Sequence, residues 1–254
     1  MNPSTQPNSP VTEDELTLGE LAAYLGWSTR FIEGLVRGER LPANEAKGQL
    51  RFVRRQVIDW LEQKIQSLDH ADVSKLENNL ESSLLADGTF RTLRTDRLTS
   101  RLPETGIAID LPLGTKPEIL AALANLAANT GLLKEQERLL QSLTDRELLF
   151  STAVPGGIAL CHPQRPIPHL IDKQFLCFLS IEKPIDFGAE DGKGTSLFFL
   201  LCAPDDRSHL HGLARLARLL QPDVLNALRA AETAPAVLSA LAQAEAAIQH
   251  LPHN

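Results

Sequence analysis

Ser151-Thr-Ala-Val-Pro-Gly-Gly-Ile-Ala-Leu-Cys-His162 carries the reading of the larger part of this chain. Gly156-Gly157 marks a turn where backbone can approach backbone closely. Ile158–Cys161 is a short apolar run of strand size. His162 closes that run, so the stretch predicts a buried strand delivering a solvent-accessible imidazole at its end. A neutral imidazole, with an ordinary pKa of about 6.5, keeps one ring nitrogen free as a nucleophile near neutral pH.

Outward from this stretch, element types alternate. Gly106–Leu111 reads as a strand. Lys116–Asn129 has helical periodicity through Ile119, Leu120, Leu123 and Leu126, with Gly131 placed to end it. Leu132–Phe150 reads as a second helix. Phe175–Ile181 and Thr195–Ala203 are apolar on both faces, as strands covered on both sides must be. Three helices should close the chain, at Asp206–Leu220, Pro222–Ala230 and Ala234–His250. This order predicts an α/β sandwich. With Asp205 or Asp206 as N-cap, His209 falls in the first turn of its helix. It shares a face with Leu213, Leu216 and Leu220, whereas His211 aligns with Arg215 and Arg218 on the side expected to be wet. An inward histidine beside free helix amides suits an anion site.

Residues 98–254 resemble a phosphotransferase-system (PTS) EIIA type-2 domain of the fructose, mannitol and nitrogen-regulatory class. The 151–162 run matches that family's pattern ending at a phosphorylated histidine. Asp145-Arg146-Glu147 lies ahead of it where the family has an Arg-Glu pair. Pro184-Ile185-Asp186-Phe187-Gly188-Ala189-Glu190-Asp191, Leu197–Pro204 and Ser208-His209-Leu210 follow in the expected order. The resemblance implies a three-layer α/β/α sandwich with a mixed sheet. It implies His162 as phosphoacceptor and His209 as second active-site histidine, with Arg146 giving a charge-assisted hydrogen bond to the phosphoryl group and Thr152 a hydroxyl. It also implies a histidine-containing phosphocarrier protein as donor and a separate IIB subunit or regulatory target as recipient. The sequence departs from the pattern at Cys161, where proline is usual, at Pro163, where glycine is frequent, and at Pro155-Gly156.

Residues 16–67 resemble excisionase or MerR-like helix-turn-helix modules, small, mostly helical and winged. Leu18–Gly26 reads as a first helix ended by glycine. Ser28 caps a second, Thr29–Arg37, with Ile32, Leu35 and Val36 inward. Leu41–Phe52 would be a wing-like hairpin, and Arg54–Leu61 a last helix ending in Trp-Leu. Thr29, Arg30, Arg37, Lys47 and Arg51 are the candidate DNA contacts. Glu33 on the same face and a small basic excess count against a strong DNA reader. Residues 68–97 read as a linker helix striped by Leu76, Leu80 and Leu84, then a loop from Asp87-Gly88. The polar, proline-rich residues 1–15 read as a disordered tail.

The 254 residues suit two domains, and a net charge of −7 argues against a protein dominated by nucleic-acid binding. No apolar run approaches the roughly 20 residues of a membrane-spanning helix. The three cysteines, Cys161, Cys177 and Cys202, sit in apolar strands as reduced thiols, and the expectation is a cytoplasmic protein. Cys161, His162, His169 and His209 offer metal-donor types, but their spacing matches no zinc pattern, so neither metal nor cofactor is expected. Two functional readings result. One is a phosphohistidine carrier with regulatory output, coupled to a DNA-binding module. The other is a transcriptional regulator whose IIA-like domain senses a partner without carrying phosphate.

Overall fold

The computed structural model describes residues 15–38, 40–86, 88 and 97–249. The expected tail, apart from Glu15, and most of the expected loop after Gly88 lie outside these residues.

The amino-terminal segment opens with β1 (Glu15–Thr17), α1 (Leu18–Leu25) and α2 (Thr29–Gly38). Thr17 accepts from the backbone of Glu20 while Glu20 reaches back to Thr17, a reciprocal cap that fixes where α1 begins. Gly26 ends α1 in the left-handed conformation. Ser28 Oγ accepts from the Phe31 amide at the start of α2, as expected of an N-cap. Then β2 (Asn44–Ala46) and β3 (Gln49–Val53) form an antiparallel hairpin. Lys47 and Gly48 make its two-residue turn with φ of 53° and 73°, the primed geometry that matches strand twist. β1 adds to the other edge of β3. α3 (Arg54–Lys64) follows, burying Val57, Ile58, Trp60 and Leu61.

α4 (His70–Ala86) corrects the reading of this stretch as a linker. Val73, Leu76, Leu80 and Leu84 are buried along it, and it packs on α7, described below. It also grips the amino-terminal segment. Asn79 Nδ2 donates to the carbonyls of Ala23 and Tyr24 at 2.9 Å each, and Trp27 Nε1 donates to the Asp72 carbonyl at 3.0 Å.

The remainder comprises β4 (Ile107–Leu111), α5 (Lys116–Asn129), α6 (Gln136–Leu149), β5 (Ala153–Val154), β6 (Ile158–Cys161), β7 (Phe175–Ile185), β8 (Thr195–Cys202), α7 (Asp206–Leu219), α8 (Pro222–Arg229) and α9 (Ala234–Gln249). The sheet order is β4-β7-β8-β6-β5, with β4–β7 and β6–β8 parallel and the other pairs antiparallel. It is the mixed sheet expected. β5 was not legible in the sequence, and β7 runs four residues past its expected end.

Strand alternation divides the core. Phe198, Leu200 and Cys202 of β8 face one way with Ala159 and Cys161, packing against Ile119, Leu123, Leu139 and Leu143 of α5 and α6. Leu197, Phe199 and Leu201 face the other way with Ile158 and Leu160, against Leu210, Leu213 and Leu216 of α7. This second core continues without a break into Leu21, Ile32, Phe52, Ile58 and Leu76. The amino-terminal segment and the sheet therefore share one apolar interior.

Among the described residues, no helix is long and apolar enough to cross a membrane.

Candidate functional site

The site lies where β6 ends. The hairpin from β5 to β6 turns through Gly156 and Gly157, at φ of 101° and 73°. A Cβ on Gly157 would stand 3.1 Å from the Gly194 carbonyl oxygen, so the close approach predicted for this pair occurs here. Gly157 O accepts from the Ser196 and Leu197 amides, anchoring the turn to β8. β6 then runs parallel to β8 and releases His162 at its end.

The His162 ring is fixed at both nitrogens. Nδ1 lies 2.9 Å from the Leu160 carbonyl oxygen, which can only accept, so Nδ1 bears the proton. Nε2 is left with the lone pair, 3.0 Å from Arg146 Nε, which donates to it. The His209 ring stands 4.8 Å away, centroid to centroid. Asp205 caps α7, accepting from the Ser208 amide at 2.8 Å, which sets His209 in the first turn facing His162. Burial pushes His162 below the ordinary imidazole pKa, although a facing carboxylate pulls upward.

That carboxylate belongs to Glu62 of α3. One oxygen, Oε1, is 2.9 Å from His209 Nε2. The other, Oε2, is 3.1 Å from His162 Nε2 and 3.3 Å from Arg146 Nε. The Arg146 Nε–H is thus shared between the imidazole lone pair and the carboxylate. Burial by itself would raise the Glu62 carboxyl, but charge and hydrogen bonding from His162, whenever its Nε2 is protonated, and from His209 hold it well below the usual carboxylate range. The side chains of Glu62, Arg146, His162 and His209 are at most 6% exposed.

The four expected site residues meet unequally. Arg146, His162 and His209 converge. Thr152 lines the same cleft, but its hydroxyl donates to Glu147 Oε2 at 2.7 Å rather than toward the histidines. Glu147 also accepts from the Thr152 amide and pairs with Lys116 at 3.0 Å, clamping the start of β5 to α5 and α6. The expectation that the His162 ring is open to solvent is corrected. It is 2% exposed because α3 and Glu62 cover it. His211, expected at the surface, is fully buried, because α4 covers the flank of α7 that was read as wet.

Glu62 was not among the residues singled out from sequence. Its signal was there, since it sits four residues after Ile58 and three before Ile65, both fully or almost fully buried, on the apolar stripe of α3. A cleft of about 350 Å³ adjoins the cluster, bounded by Glu62, Gln66, Arg146, Thr152, His162 and Gly188. Leu148, Leu149 and Phe150 stand 80%, 55% and 60% exposed, and Phe150 lines this cleft.

Of the donor types considered for a metal, Cys161 and His169 do not join this cluster. Glu62, His162 and His209 bring three donor atoms within 4.8 Å of one another. The Arg146 guanidinium lies among those donors and disfavours a cation there. The five candidate DNA contacts lie on α2 and the hairpin. Thr29, Arg30, Arg37 and Lys47 are exposed and Arg51 is half-buried.

The family described as "Phosphoenolpyruvate-dependent sugar phosphotransferase system, EIIA 2" matches residues 101–244. A nitrogen regulatory protein of Bradyrhizobium diazoefficiens is 38% identical over 149 residues, which cover 57% of this chain and 94% of that protein. A nitrogen regulatory protein of Pseudomonas aeruginosa is 33% identical over 137 residues, 51% of this chain and 84% of that protein. The crystal structure of nitrogen regulatory protein IIA-Ntr from Neisseria meningitidis superposes with a TM-score of 0.50 at 25% identity. It covers 57% of this chain and 98% of that one.

Proposed function

Given that the chain belongs to the PTS EIIA type-2 family over residues 101–244, we propose that it is a regulatory phosphohistidine carrier, accepting a phosphoryl group on Nε2 of His162 from the histidine-containing phosphocarrier protein. The observation that carries this reading is the geometry at one nitrogen. Leu160 holds the proton on Nδ1, and Nε2 presents its lone pair between Arg146 and His209.

The chemistry asks little more of the protein than placement and charge stabilisation. The phosphorus–nitrogen bond of the donor phosphohistidine breaks as a bond to Nε2 forms, and the electron pair returns to the donor ring. The Nδ1 proton of His162 stays in place. Arg146 Nε–H and His209 Nε2–H are the donors available to the equatorial oxygens. Phe150 at the cleft, with the exposed Leu148 and Leu149 just before it in the chain, offers an apolar seat for the donor protein, or for a IIB subunit or regulatory target receiving the phosphate.

The amino-terminal segment supports a second module in the same reading. Two helices followed by a hairpin with exposed Arg30, Arg37 and Lys47 suit a helix-turn-helix unit of the excisionase or MerR-like kind, with DNA as its partner.

The test is incubation with phosphoenolpyruvate, enzyme I and the phosphocarrier. Acid-labile phosphate should appear on the protein and be absent from His162→Ala. Absence from the wild type and from Glu62→Ala alike, while a known IIA domain is labelled in parallel, would defeat the carrier reading. It would favour a IIA-like domain that senses a partner without taking phosphate.

A further inference from the structure

We propose that the amino-terminal segment is the resident occupant of the phosphoacceptor site. The Glu62 carboxylate stands in for the phosphoryl group, so that seating of α3 and phosphorylation of His162 exclude each other. The inference rests on the carrier reading above and adds a regulation of that same site.

Three observations carry it. The first is chemical. Glu62 is an anion held by Arg146 Nε and His209 Nε2, the same donors that would face the oxygens of a phosphoryl group on Nε2. The second is steric. Oε2 lies 3.1 Å from Nε2, so a phosphorus bonded to that nitrogen, with its oxygens, needs the space the carboxylate fills. A phosphoryl group of charge about −1.5 to −2 would also repel the carboxylate it met there. The third is that Glu62 is not a stray side chain. Its helix is docked by Arg55 Nη2, which donates to the Gln164 carbonyl two residues past His162 at 2.7 Å. Behind it, Glu77 of α4 binds Arg215 and Arg218 of α7 at 2.6 and 2.5 Å, within the apolar core the two segments share.

The coupling is reciprocal by necessity. Whatever favours the docked α3 slows phosphorylation, and a phosphoryl group on His162 weakens docking. The phosphorylation state of one imidazole would then set whether the amino-terminal segment is held on the sheet or released to a partner.

The experiment uses the full chain as wild type, Glu62→Ala and Glu62→Gln, each checked by circular dichroism. With the phosphocarrier relay, the initial rate of His162 labelling should rise at least about tenfold in Glu62→Ala, as expected when a site moves from a tenth or less accessible to fully open. Glu62→Gln, which keeps the volume and loses the charge, should fall between. Amide hydrogen exchange across Arg54–Lys64 should be slow in the unmodified wild type and speed up on phosphorylation. Equal labelling of wild type and Glu62→Ala, with α3 protected throughout, would overturn the occupant role while leaving the carrier reading intact. Label on none of the three would remove the carrier reading, and this inference with it. Acceleration of the wild type by a chelator, to the rate of Glu62→Ala, would overturn the carboxylate mechanism in favour of a bridging cation.

Discussion

Replacing Glu77 by glutamine removes the more buried of two carboxylates that join α4 to α7, the other being Glu81, 3.4 Å from Arg215. The Glu77 side chain is 3% exposed and binds Arg215 Nε and Arg218 Nη1, whose side chains are 16% and 12% exposed. Burial would raise its carboxyl, yet the two guanidinium groups hold it below the usual carboxylate range. Deleting one member of a buried ion pair costs about 3–5 kcal/mol, because the opposite charge stays desolvated. Glutamine keeps a carbonyl acceptor worth about 1 kcal/mol, and both arginines reach some water. The expected loss is therefore about 2–3 kcal/mol. That corresponds to a fall in melting temperature of roughly 5–10 °C for a chain of this size. Urea titration followed by circular dichroism measures it. A cycle with Arg218→Gln should show coupling of about 1–3 kcal/mol. A loss under about 0.5 kcal/mol for Glu77→Gln, or strict additivity in the cycle, would refute the reasoning.

The Glu62 cluster should make the protein acid-sensitive. Its carboxyl, lowered from 4.5, contributes stability present above that value and lost as pH falls, while the buried His162, lowered from 6.5, adds a loss beginning below 6.5. The melting temperature should drop between about pH 6.5 and 4, with a shallower slope below about pH 5 in Glu62→Gln; identical slopes in the two proteins would contradict this. For the DNA reading, affinity for genomic fragments should fall steeply with salt and weaken on Arg30→Ala, and indifference to both would count against it.

The sheet was legible because its central strands admit one interpretation. Thr195–Cys202 is apolar at nearly every position, and the observed partition of Phe198 and Phe199 to opposite cores shows why. β5 escaped notice because two residues cannot display an alternation. The inward placement of His209 followed from its register with Leu213 and Leu216, and the structure agrees. The same argument failed for His211. Arg215 and Arg218 were read as a wet face, yet they pair with Glu77 beneath α4. In sequence, a helix face carrying arginines looks the same whether water or a buried carboxylate answers the charge. The stripe Leu76, Leu80 and Leu84 announced a helix without announcing what it would cover. α7 proved to be that surface.

A buried carboxylate is costly unless donors answer it, and α3 by itself offers none to Glu62. The answer comes from Arg146 and His209, residues placed by α6 and α7 for reasons that sequence could connect to an anion but not to this one. Because the same N–H groups suit either anion, removing a donor weakens a bound carboxylate and a bound phosphoryl group together and cannot tell them apart. Removing Glu62 alters only the occupied, unphosphorylated form. The burial of His162 therefore speaks less about the reactivity of its nitrogen than about how firmly another part of the chain sits on it. On the proposed exclusion, the open site would differ from the closed one by the departure of a helix, with β6 and the imidazole it presents left where they are.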